Sequence, residues 1–145
     1  MVWAVSWLIW ALLSALFAGL TAILAKVGIE GVNSHLATAL RTVVILVITW
    51  GIALAVVPMT AVGELTRKNW IFLVLSGVAT GASWLCYFRA LQLGEASKVA
   101  PVDKLGVVFA IALAGIFLKE RIGWPQCVGG GLIVAGALVI VLGKP

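Results

Sequence analysis

Residues 91–121 read LQLGEASKVAPVDKLGVVFAIALAGIFLKER, and their reading decides the fold. A polar hinge ends one apolar run, and a second long run opens at Pro101. That run carries the adjacent charges Asp103 and Lys104 one to two turns into its length and leaves at Lys119-Glu120-Arg121. A charge at the centre of a membrane helix costs on the order of 2.5–3.5 kcal/mol. A pair set beside the hydrocarbon therefore needs a reason, and it is the best functional clue in the sequence.

Composition agrees with a membrane reading. The chain has 145 residues, 63% hydrophobic and 10% charged, with a mean hydropathy of +1.21. Soluble domains carry about 25% charged residues. At about 20 residues per span, four or five spans fill the chain and leave no room for an extramembrane domain. The net charge of +5 is spread over helix ends and short loops with no basic block, which argues against nucleic-acid binding. Cys86 and Cys127 lie in apolar segments without metal-ligand spacing. The N-terminal run lacks a basic leader and is too long for a signal-peptide core, so it is expected to be a retained first span.

The pattern predicts an all-α integral membrane protein, a single domain over 1–145, with spans near 3–26, 35–57, 70–92, 97–118 and 125–142. Ser14, Ala18 and Ala22 form a small-residue face on the first span, and Gly77 and Gly81 a Gly-x-x-x-Gly pair on the third. Ser34 is a candidate N-cap after the Gly31/Asn33 turn, and Pro58 closes the second span. A polar loop then runs to Asn69. Pro125 suits a first helical turn. The bare run Gly129-Gly130-Gly131 predicts another backbone lying against it, and Gly106, Ala110 and Ala114 give the fourth span a small face.

Five spans place the two ends of the chain on opposite sides of the membrane. Trp3, Trp7, Trp10, Trp50, Trp70 and Trp124 then fall toward the N-terminal side as an interfacial belt, with Trp84 deeper. Lys26, Arg41, Arg89, Asp103 and Lys104 come to similar depths near the opposite side. Arg41 and Asp103 stand about 10 Å inside their helix starts. Lysine and arginine can snorkel from such depths, but an aspartate reaches poorly. A pairing of Asp103 with Arg41 or with Lys104 would neutralise it.

Two readings follow. In one, the charges form a buried pair that fixes helix register. In the other, they line a water-filled cavity with excess positive charge, suited to substrates bearing a carboxylate or phosphate. Trp84 and Tyr87, near Arg89, would give that cavity an aromatic wall, or would simply pack. The candidate substrate-binding residues are thus Arg41, Asp103, Lys104, Arg89, Trp84 and Tyr87. No nucleophile–base pair, metal-ligand cluster or phosphate-cradling glycine loop occurs in the sequence, so neither catalysis nor a cofactor is expected.

The run Ala90-Leu91, Gly94, Ala96, Val99-Ala100-Pro101, Leu105 and Phe109 resembles the EamA domain of the drug/metabolite transporter superfamily. So do Phe117-Leu118-Lys119-Glu120-Arg121, Gln126, Gly129 and Leu132-Ile133-Val134-Ala135-Gly136. The resemblance is specific from the third span onward and mainly topological before it. It implies one half of a two-repeat exporter or exchanger of small metabolites, in which two halves of opposite orientation line a central cavity. A single half implies pairing, and a homodimer, antiparallel in the bilayer, is the expected partner arrangement. The four-span small multidrug resistance proteins pair in that way but rely on a carboxylate in span one, and span one here has none. Competing readings are a membrane-embedded accessory subunit and a component of a lipid-linked sugar flippase. The expected location is a prokaryotic cell membrane.

Overall fold

The computed structural model describes residues 2–143, with side chains from residue 7 onward. It is helical with no strand among the described residues: α1 Val2–Gly28, α2 Ser34–Val56, a 3-10 turn η1 at Met59–Glu64, α3 Arg67–Leu93, α4 Ala96–Asp103, α5 Gly106–Phe117 and α6 Trp124–Leu142. Five segments are long and apolar enough to cross a membrane: Trp7–Gly28, Ser34–Val56, Arg67–Leu93, Ala96–Phe117 and Trp124–Leu142. The chain is an all-α membrane protein.

The helix ends follow capping chemistry more closely than hydropathy. Asn33, not Ser34, caps α2: its side chain accepts from the His35 amide at 2.9 Å. Ser34 is the first helical residue, and its carbonyl accepts from the Thr38 hydroxyl at 2.8 Å. The stretch expected as a polar loop to Asn69 holds η1, and α3 starts at Arg67. Thr66 Oγ1 accepts from the Asn69 amide at 3.2 Å, which sets that earlier start. Pro125 is the second residue of α6, and Gln126 Oε1 accepts from the Gly123 amide at 3.1 Å.

Pro101 does not open its helix. It lies inside α4, which begins at Ala96. Pro101 has no N–H for the Ser97 carbonyl. Just downstream, the Lys104 amide is shared between the Ala100 and Pro101 carbonyls. Leu105 then donates to Val102, Val107 to Lys104 and Val108 to Leu105, at 2.9–3.0 Å. These are three-residue bonds, so the fourth span is two helices joined by a tight 3-10 turn at Lys104–Leu105. Its far end closes at Lys119 (φ 55°), and the Glu120 amide reaches back to the Ala114 carbonyl. The chain folds over Gly115 there: a Cβ on that glycine would meet Ile122 Cδ1 at 2.5 Å.

The chain divides into two compact units, Met1–Leu24 with Leu93–Pro145, and Ala25–Gln92. In the first, α6 packs on α4 and α5. Gly130 is buried, with Val108 and Ile111 side chains 3.9 Å from where its Cβ would be. Side chains of α5, rather than the backbone expected, therefore fill the space at the glycine run. In the second unit the buried residues are Ile29, Ser34, Thr38, Phe88 and Leu91. Leucine, isoleucine and valine otherwise point mostly outward, as suits helices solvated by lipid tails, where burial of apolar surface drives little association.

Candidate functional site

On α2, Ser34, Ala37, Thr38, Arg41 and Ile45 are the better-covered positions, at helical spacing on one face. On α3 the matching face runs Gly81, Trp84, Phe88, Leu91. Arg41 meets it. Its guanidinium carbon lies 4.5 Å from the centroid of the Trp84 ring and 5.2 Å from that of Phe88. Tyr87 stands edge-on to Phe88 with centroids 6.3 Å apart. Arg41 is partly covered; among the described residues no ion pair to a carboxylate involves it, and Tyr87 acts on it electrostatically. The two rings stabilise the cation through their quadrupoles, which costs none of its five N–H donors.

Trp84 is thus turned inward, while Trp7, Trp10, Trp50, Trp70 and Trp124 are exposed, as are most large apolar side chains of the spans. The Trp3 side chain lies outside the described residues, as does Lys144. Sequence reasoning named Trp84 and Tyr87 but passed over Phe88. Its signal was present: Trp84 and Phe88 are four apart, hence stacked on one helix face.

Arg89 engages a different set of groups. Its Nη1 donates to Gln92 Oε1 at 2.6 Å, and Gln92 Nε2 donates to the Val32 carbonyl at 2.9 Å. Lys26 Nζ donates to the Leu91 carbonyl at 2.7 Å. Lys26, Glu30 and Gln92 line an open pocket of about 320 Å³ with Val27, Ile29 and Gly31. These contacts pin the α1–α2 turn to the end of α3.

Asp103 and Lys104 sit in the other unit, at the break in the fourth span. Of the two pairings open to Asp103, the structure has the one with its neighbour: Lys104 Nζ stands 3.2 Å from Asp103 Oδ2. Both side chains remain accessible, at 37% for Asp103 and 55% for Lys104. Lys104 also borders a cleft of about 430 Å³ whose other walls, Ala100, Pro101, Ile133, Gly136 and Ala137, are apolar. No group of three or more histidine, cysteine or acidic side chains that could hold a metal occurs among the described residues.

Five apolar spans, with Arg41 inside one of them and a break in the fourth, define a multi-pass membrane protein. The chain belongs to the EamA-like transporter family, whose pattern it matches over residues 5–142. A Sinorhizobium protein named as an uncharacterized transporter in the cobO 3' region is 49% identical over 137 residues, 94% of this chain and 97% of that one. A Bacillus subtilis protein named as uncharacterized transporter YxxF is 32% identical over 141 residues, 94% of this chain but 43% of that one. No solved structure gives a significant match.

Proposed function

We propose that this chain is a half-size transporter of small anionic metabolites in a prokaryotic cell membrane, working as a homodimer of oppositely oriented copies. The observation that carries the anionic reading is Arg41, held at membrane depth by Trp84 and Phe88 with no carboxylate on it among the described residues. A cation kept within a span by aromatic rings, with no carboxylate on it among the described residues, supplies a site for a ligand's negative group. In the other unit, Lys104 borders a cleft of its own, and Asp103 offsets its charge there.

Pairing is supported by the lengths of the relatives. The Bacillus subtilis relative is more than twice the length matched, whereas the Sinorhizobium relative is nearly all matched. Transporters built from inverted repeats form their site between the halves; the Sinorhizobium relative is matched over 97% of its length, about one such repeat, which supports a site shared between two copies. Transport would then be an exchange of access between the two sides, with no covalent chemistry.

The test is uptake of radiolabelled organic acids into proteoliposomes, after a thermal-shift screen of the purified protein identifies which of them bind. Arg41→Ala and Asp103→Ala should each abolish transport with membrane insertion intact. Full activity in both variants would reduce these charges to structural roles.

A further inference from the structure

Resting on the reading of Arg41 as the anion site, we infer that Trp84 and Phe88 are positioning residues that make this site a bidentate one. They hold the guanidinium so that its N–H edge, and not its face, meets the ligand, and they exclude organic cations.

The argument is geometric. A guanidinium whose carbon lies 4.5 Å from one ring centroid and 5.2 Å from a second is attracted by both rings, and that attraction spends none of its N–H donors. The parallel N–H pairs of the guanidinium fork are thereby left for a ligand. Two parallel donors match two oxygens on one carbon or one phosphorus, the fork geometry of carboxylate and phosphate recognition. A chloride or other spherical ion makes poor use of that edge. The rings also cannot serve a cationic ligand as an aromatic cage, because a resident cation already occupies them and would repel a second. Phe88 is buried and Leu91 below it fully so, which fixes the ring that backs the guanidinium. Tyr87 packs edge-on against Phe88 and braces it from the side.

A second feature sets the shape of the ligand. Along the same face of α3, one and two turns from Trp84, stand Gly81 and Gly77, and a Cβ at either would meet nothing within 4 Å. That face of α3 beside Trp84 is therefore bare of side chains at both glycines. It suits a ligand with one anionic head and a slender uncharged body.

The experiment uses the full chain in lipid nanodiscs, titrated with acetate, benzoate, methyl phosphate, phenyl phosphate and tetraphenylphosphonium. Binding is read by calorimetry and by tryptophan fluorescence. Benzoate or phenyl phosphate should bind the wild type and change its fluorescence, and which of the two binds tells carboxylate from phosphate. The fluorescence change should vanish in Trp84→Phe while affinity stays within about threefold, since phenylalanine keeps a ring face. Trp84→Leu should weaken binding about tenfold. Arg41→Lys, which keeps the charge and loses the fork, should weaken it at least as much. Wild-type affinity in Trp84→Leu, with loss in Arg41→Gln, would overturn the positioning role and leave the anion site standing. Wild-type affinity in Arg41→Gln, or no binding by any of the four anions, would overturn the anion site itself. Tetraphenylphosphonium competing with benzoate would overturn the exclusion of cations.

Discussion

Lys26 Nζ donates to the carbonyl oxygen of Leu91 at 2.7 Å, joining the last turn of α1 to the last turn of α3. The last four carbonyls of a helix have no partner within it, and the negative end of the helix dipole favours a cation there. Leu91 is fully buried, so its carbonyl would find no easy substitute. Gln92 makes the second tie, to the Val32 carbonyl.

Lys26→Met should therefore destabilise the protein by about 1–2 kcal/mol, the range for losing a charged hydrogen bond at a covered acceptor. Lys26→Arg should lose less, because its longer side chain can still donate. Unfolding of both variants in mild detergent, followed by circular dichroism, measures the difference. Equal stability of Lys26→Met and wild type would mean that lysine simply extends to the interface.

The spans were legible in the sequence because length and hydropathy are local properties. The expected 35–57 and 125–142 differ from Ser34–Val56 and Trp124–Leu142 by a residue at most ends. Capping was less legible: Asn33 and Ser34 are both good N-caps, and only the backbone decides which side chain faces the free amides. The break at Lys104–Leu105 was hidden for another reason. Proline predicts a disturbance nearby, yet the tight bonds fall several residues after Pro101, where only the coordinates place them. At the candidate site, hydropathy flagged Arg41 as out of place but could not say what faced it. A rule seeking carboxylate partners for buried cations overlooks aromatic ones, and so Phe88 was missed.

Lys119 takes φ 55°, a conformation that costs an ordinary L-residue roughly 1–2 kcal/mol. Lys119→Gly removes that strain but gives the unfolded chain more freedom, for a net gain of about 0.5–1 kcal/mol. A β-branched Lys119→Val should lose about 1–2 kcal/mol. Thermal unfolding of the two variants should bracket the wild type. Both falling on the same side of it would contradict the left-handed turn.

Pro101 and the 3-10 turn after it give the fourth span a weak point beside Asp103 and Lys104. Pro101→Ala restores a donor for the Ser97 carbonyl and removes the ring's steric conflict with it. Amide exchange at Leu105, Val107 and Val108 should slow by about tenfold, equivalent to about 1.4 kcal/mol of local stability. Transport should fall if the turn bends during the cycle. Unchanged exchange at these amides would assign the turn to Gly106 and the charged pair instead of to proline.

Orientation in the membrane is the remaining question that charge can address. Arg67 and Lys68 open α3, and Lys119 and Arg121 follow α5; five spans crossing in alternation would put all four on the side that holds the start of the first span. The same alternation would put Lys26, at the end of α1, and Lys98, in the first turn of α4, on the other side, with Arg41, Arg89 and Lys104 nearer that side but within their spans. Loops alone favour the N-terminal side inside the cell; counting the embedded cations reverses the balance. Sorting by positive charge acts on such differences, so a chain this even is expected to insert in both orientations. C-terminal fusions to a reporter active only in the cytoplasm and to one active only outside should then both give signal. Adding two lysines between Lys119 and Gly123 should drive the population to one orientation. Transport should collapse with it, and should return when an oppositely biased copy, carrying the added lysines beside Lys98, is co-expressed. A single-compartment signal from the unaltered chain, with transport intact and no second half-size protein present, would rule out the antiparallel pair.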